Sequence, residues 1–175
     1  MKIESPAFEL TDFENFLGEQ VTHERNELAD RLERASARLA KLGPGIRAQG
    51  SSGDSWSAIE VLAHIAGFSK LYGILVHKVA AGQLTELDLM SSTNIRDDSI
   101  TQMSTMEPAE LLKMSLEAHA RTASELRSLD VAALRRKATV AGASFSPVTA
   151  EFLARYPLIN HLEEHVDQLE RILAD

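Results

Sequence analysis

An all-α four-helix bundle is the fold this sequence predicts, and three observations predict it. Only five prolines and nine glycines punctuate 175 residues. The stretches between them repeat their apolar residues with a helical rather than an alternating period. One connection is long enough to run the length of a bundle. The length itself fits one domain, residues 1–175, with chain enough for a hydrophobic core.

The first helix is expected from Phe8 to Leu42. Leu28, Leu32, Ala35, Leu39 and Leu42 form one stripe, with Arg and Glu around the rest. Gly43-Pro44-Gly45 stops it, because glycine supplies the C-cap conformation and proline cannot continue a helix. After the loop Ser51–Ser55, Ser57 and Glu60 have capping-box spacing, and Trp56 and Val61 occupy the two positions of a hydrophobic staple. This second helix reaches about Ala81. It is apolar around most of its circumference, with a narrow Lys70/His77 strip for water, so it belongs at the centre of the bundle or at an interface. A homodimer is expected on that ground.

Residues 82–107 read as a polar, irregular crossover, which lets the second and third helices run parallel as neighbours. Pro108 opens a third helix over 108–129. Residues 130–146 form another connection, with a short hairpin expected from Ala138 to Phe145. Ser146-Pro147 then starts the last helix, and Pro157 should kink or break it by removing one hydrogen bond and clashing with the preceding turn.

Composition narrows the function. Apolar residues at 44% and charged residues at 25% suit a globular chain and exclude disorder. No uninterrupted apolar stretch approaches the roughly 18 residues of a membrane span. Residues 1–10 lack a basic segment followed by an apolar block, so no secretory signal and a cytoplasmic location are expected. The absence of cysteine removes disulfides, thiolate zinc sites and a cysteine nucleophile. A net charge of −8 repels phosphate backbones and argues against nucleic acid as a partner.

Helix geometry sorts the six histidines. On the last helix, at about 100° per residue, Leu162, His165, Leu169 and Ile172 all lie within roughly 40° of Leu158, with His161 roughly 60° from it. Two histidines four residues apart therefore take core-facing positions, where both imidazoles can converge on one metal ion. Buried ring nitrogens left unpaired cost roughly 1–3 kcal/mol each, which disfavours an idle pair on an apolar face. His64 also faces inward, with Val61, Phe68, Leu71 and Leu75. It stands about 7 residues, or roughly 10 Å, into its helix, and His165 about 9 residues from the end of its own. Antiparallel helices with flush ends would bring them level. Three neutral imidazoles hold a divalent ion and leave coordination positions open.

Trp56-Ser57-x-x-Glu60-Val61-Leu62-x-His64, followed about 97 residues on by His161-x-x-x-His165-x-x-Gln168-Leu169, resembles the DinB superfamily. That family includes YfiT-like proteins assigned as metal-dependent hydrolases and the mycothiol- and bacillithiol-dependent S-transferases. The resemblance runs over nearly the whole chain. It implies an up-down-down-up bundle and a zinc, nickel or iron site ligated by His64, His161 and His165.

Other constellations are weaker. His161-Leu162-Glu163-Glu164-His165 spells the inverted zinc-peptidase pattern, but too little chain follows to supply the further ligand. Inward carboxylates paired with Glu-x-x-His, as a di-iron site requires, do not occur. Glu164 reads as a helix-surface carboxylate rather than a proton-transfer group. His119 reads as a satisfied, partly buried residue rather than a fourth ligand or proton shuttle. His23 and His77 read as peripheral. Arg135-Arg136-Lys137 reads as a solvated loop rather than a seat for an anionic substrate. Two function classes follow. One is an enzyme whose ion activates water for hydrolysis or a low-molecular-weight thiol for transfer to a small-molecule substrate. The other is a metal- or ligand-binding bundle without turnover, related to stress.

Overall fold

The structure is a computed structural model that describes residues 10–48, 56–88 and 103–174. Phe8 and the Ser51–Ser55 loop lie outside the described residues, as does most of the 82–107 crossover. Helix α1 (Leu10–Leu42) buries Val21, Leu28, Ala29, Leu32, Ala35 and Leu39 on one stripe and ends in a 3-10 turn at Gly43–Gly45. Helix α2 (Ala58–Ala80) buries 13 of its residues, His64 among them. Helix α3 (Pro108–Ser128) follows Glu107, with proline in its first turn where no N–H is needed.

Contacts along the helices fix their directions. Arg31 of α1 meets Asn160 and Glu163, and Arg38, two turns on, meets Asp167 and Glu170. The numbers rise together, so α1 and the last helix run parallel. Ser36 meets His119 while Asp30 meets Arg127, so α1 and α3 run antiparallel. Ser69 meets His119 and His77 approaches Glu125, so α2 and α3 run parallel. The last helix packs against both α1 and α2, as α3 does. That is the up-down-down-up order expected.

The connections depart from expectation in four places. A short helix, α4 (Val131–Leu134), is capped by Asp130, whose carboxylate accepts from Ala133 N–H at 2.7 Å. The expected hairpin exists, but its return strand comes later. Strand β2 (Lys137–Val140) pairs antiparallel with β3 (Val148–Thr149), Ala138 opposite Val148. Strand β1 (Glu86–Leu87), inside the supposedly irregular crossover, pairs parallel with β2. Because Val148 and Thr149 are in the sheet, the last helix starts at Ala150 and not at Ser146-Pro147. Thr149 caps it, its hydroxyl accepting from Phe152 N–H at 3.1 Å.

That last helix, α5, comprises Ala150–Leu153, a π-helical stretch Ala154–Asn160 and His161–Ala174. Pro157 lies in the π stretch and the helix runs through it without a break. The wider turn moves the carbonyl that a proline ring would strike in a regular α-helix, and a missing N–H is tolerated where the ladder changes register.

No uninterrupted apolar stretch reaches the length of a membrane span, since His64, Ser69, Lys70 and His77 interrupt α2. By length and composition α2 could cross a membrane, and 61% of the qualifying window is buried inside the bundle. It is a core helix. The apolar circumference that suggested a homodimer is thus covered by its own chain, leaving Lys70, Ile74, His77 and Lys78 as the exposed residues between 61 and 80.

Candidate metal centre

Two local devices place the histidines. At the start of α2, the Glu60 carboxylate accepts from Ser57 N–H at 2.8 Å and from the Ser57 hydroxyl at 2.7 Å, so the helix begins at a defined residue. His64 follows two turns later and is 3% exposed. On α5 the π stretch ends as His161 N–H donates to the Tyr156 carbonyl, five residues back. That register sets the phase of everything after it. Leu162, Val166 and Leu169 enter the core, and His161 and His165 turn toward α2, half-buried.

The three imidazoles meet at their Nε2 atoms. His64 Nε2 and His161 Nε2 are 2.9 Å apart, and His161 Nε2 and His165 Nε2 are 3.2 Å apart. Aromatic rings close in on them. Phe68 stands 5.1 Å from the His64 ring centroid and 4.7 Å from that of His161. Trp56 meets His64 edge-on at 5.0 Å and lies nearly parallel to His165 at 6.1 Å. The ring read as a hydrophobic staple is thus engaged with the histidines, and at 41% exposed it forms the wet side of the cluster.

The donor set fits a divalent first-row ion. Nitrogens about 2.1 Å from a common ion stand about 3.0 Å apart at right angles and about 3.4 Å apart at tetrahedral angles. Both observed separations lie in or beside that range, and all three ligand atoms fall within 4.8 Å of one another. Burial holds the His165 imidazole below its ordinary range, against the opposing influence of Gln168 and Glu164, which favours the neutral form a ligand needs. His165 Nδ1–H donates to Gln168 Oε1 at 2.8 Å.

A family model described as the DinB superfamily matches residues 20–169. The chain belongs to the DinB superfamily. Among solved structures it is similar to the mycothiol-dependent maleylpyruvate isomerase, at 18% identity and a TM-score of 0.59 over 88% of this chain and 60% of the other. It therefore spans about three-fifths of the isomerase's length. YfiT from Bacillus subtilis, described as a probable metal-dependent hydrolase with an unusual four-helix bundle topology, matches at 18% identity and a TM-score of 0.59, over 86% of this chain and 87% of that one. At these identities the likeness is one of fold. No curated protein sequence matches the chain.

The remaining sequence candidates of this DinB chain are placed elsewhere. His119 is 1% exposed and held at both ring nitrogens, by Ser69 Oγ at 2.8 Å and Ser36 Oγ at 3.1 Å. It ties α1, α2 and α3 together and is not in the metal-ligand group. Glu164 and His23 are exposed. His77 is exposed too, with Nδ1 3.6 Å from Glu125. The basic run is more engaged than a solvated loop. Arg135 pairs with Glu24 and Glu151 at 2.7 Å each, and Arg136 donates to the Ala80 carbonyl at the end of α2. Ser36 and Ser69 were not signalled by the sequence, since a serine inside a helix carries no mark of its partner across the bundle.

Proposed function

We propose that this protein is a metal-dependent enzyme acting on a small molecule, with His64, His161 and His165 as the ligands. The convergence of three Nε2 atoms from two helices, at 2.9 and 3.2 Å, carries the reading. When bound there, a divalent ion supplies Lewis acidity toward water or a thiol. The protein's own part is positional. His64 is fixed by burial, His161 by the π register, and Phe68 excludes water on one side while Trp56 offers a partly exposed ring where a substrate would enter. No cysteine is present. Any sulfur therefore arrives on a low-molecular-weight thiol, the kind of cosubstrate on which the mycothiol-dependent isomerase depends. The likeness to YfiT, a probable metal-dependent hydrolase, supports hydrolysis as the other branch of the same reading.

One observation favours a second reading, a metal-binding bundle without turnover. The rings packed on the histidines are aromatic, and Glu164, the nearest carboxylate in sequence, faces solvent. A single experiment separates the two. Protein purified without added metal is analysed for metal content, loaded with zinc, nickel or iron(II), and screened with thiol-plus-electrophile pairs and with simple esters and amides. One ion per chain with metal-dependent turnover is expected, and both are lost in His64→Ala. One ion per chain with background turnover would select the binding reading. Full metal binding by a His64→Ala/His161→Ala variant would sink the ligand set.

A further inference from the structure

Gln168 touches the cluster without belonging to it. It stands three residues after His165 on α5, on the same face of the helix, and is half-buried between the core residues Val166 and Leu169. Its Oε1 accepts the Nδ1–H of His165 at 2.8 Å. An imidazole carries one proton when neutral, and whichever nitrogen holds it cannot offer a lone pair. A histidine free in water places that proton on Nε2 more often than on Nδ1. Here Nε2 is the atom that faces His161 Nε2 at 3.2 Å and the common point of the cluster. A proton on it would occupy the direction in which a ligand atom must present its lone pair.

We infer that Gln168 is a positioning residue that holds the His165 proton on Nδ1 and so keeps Nε2 open. The inference rests on the metal-centre reading for its purpose and on the hydrogen bond for its substance. A glutamine suits the task in one respect that a carboxylate does not. It accepts the hydrogen bond without bringing a full charge beside a half-buried ring, so it orients the imidazole without turning it into a cation. The other two cluster histidines, His161 and His64, have different residues at this spacing. The residues three further on are Glu164, which is exposed, and Gly67.

Two readouts test this, and the first needs no metal. In metal-free, 15N-histidine-labelled protein, long-range 1H–15N correlation spectra report which nitrogen of His165 is protonated. Nδ1–H is expected in the wild type. In Gln168→Leu, which keeps the volume and loses the acceptor, the signals move to the Nε2–H or averaged pattern. Gln168→Glu restores Nδ1–H. The second readout is Ni2+ titration followed by quenching of Trp56, the single tryptophan, whose ring lies 5.0 Å from His64. Gln168→Leu is expected to weaken binding about 10- to 100-fold, the usual effect of removing the hydrogen-bond partner of a metal-bound histidine. Gln168→Glu should bind within about threefold of wild type. A wild-type His165 protonated at Nε2, or a Gln168→Leu variant with unchanged tautomer and affinity, overturns the inference. A wild type that binds no Ni2+ yet loses its Nδ1–H signal in Gln168→Leu would sink the metal centre and leave the role of Gln168 standing.

Discussion

Burial of His119 between two serines lowers its pKa to about 4, because charging the ring would strand a cation among apolar neighbours. The unfolded chain takes up that proton near 6.5 and the folded chain resists it, so stability from this residue is complete above pH 6.5 and is lost as pH falls toward 4. The loss reaches roughly 3 kcal/mol at pH 4. Urea unfolding of metal-free protein at pH 7.5 and pH 4.5 measures it, and His119→Leu should flatten the difference while costing about 1–3 kcal/mol at pH 7.5 for the two serine hydroxyls left without their partner. An undiminished pH dependence in that variant would mean another group titrates. The three histidines that converge between α2 and α5 differ in this respect. His64, His161 and His165 were legible because a helical period alone puts them on inward faces. The partners of His119 were not, since Ser36 and Ser69 reach it across two helix interfaces whose rotations no single-helix period specifies.

At the scale of elements, the four long helices declare themselves by period, caps and prolines. The pieces that were missed are the ones too short to carry a period. Two-residue strands at Glu86–Leu87 and Val148–Thr149 exist because β2 offers them backbone partners, and the four residues of α4 depend on one Asp130 cap. Pro157 was expected to kink or break the last helix, and the structure accommodates it within a π stretch instead of a break. Packing between elements gives a sharp prediction at Gly73, where α2 crosses α3. A Cβ there would stand 2.6 Å from Thr122 Oγ1 but 3.9 Å from Thr122 Cβ. Gly73→Ala therefore overpacks the crossing by about 1–3 kcal/mol, offset in part by roughly 1 kcal/mol of helix propensity. Thr122→Ala removes the offending oxygen, so in that background Gly73→Ala should become neutral or stabilising. A double-mutant cycle on thermal or urea unfolding reads the coupling, expected at about 1–2 kcal/mol. Additive effects would show that the helices separate freely at this point.

Across the whole molecule, the antiparallel pairing of α2 and α5 brings together residues 97 positions apart in the chain. Unfolding disperses them. An ion bound at His64, His161 and His165 is therefore bound by the folded bundle alone, and its binding energy adds to the stability of the fold. At 100 times its dissociation constant the gain is about 2.7 kcal/mol. For a chain of this size that raises the melting temperature by roughly 5–10 °C. The sign of the pH effect follows from the ligands, because only neutral imidazoles bind and protons displace the ion as pH falls below about 6. Burial of His165 moves that competition toward lower pH than a solvated histidine would give. The measurement is a pair of melting curves, metal-loaded and chelator-treated, at pH 7.5, 6.5 and 5.5. A gap between them is expected at pH 7.5, narrowing at 5.5, and His64→Ala should close it at every pH whatever its effect on the metal-free melting temperature. A gap that persists unchanged at pH 5.5, or that survives His64→Ala, would show that the stabilising ion sits somewhere other than on these three histidines.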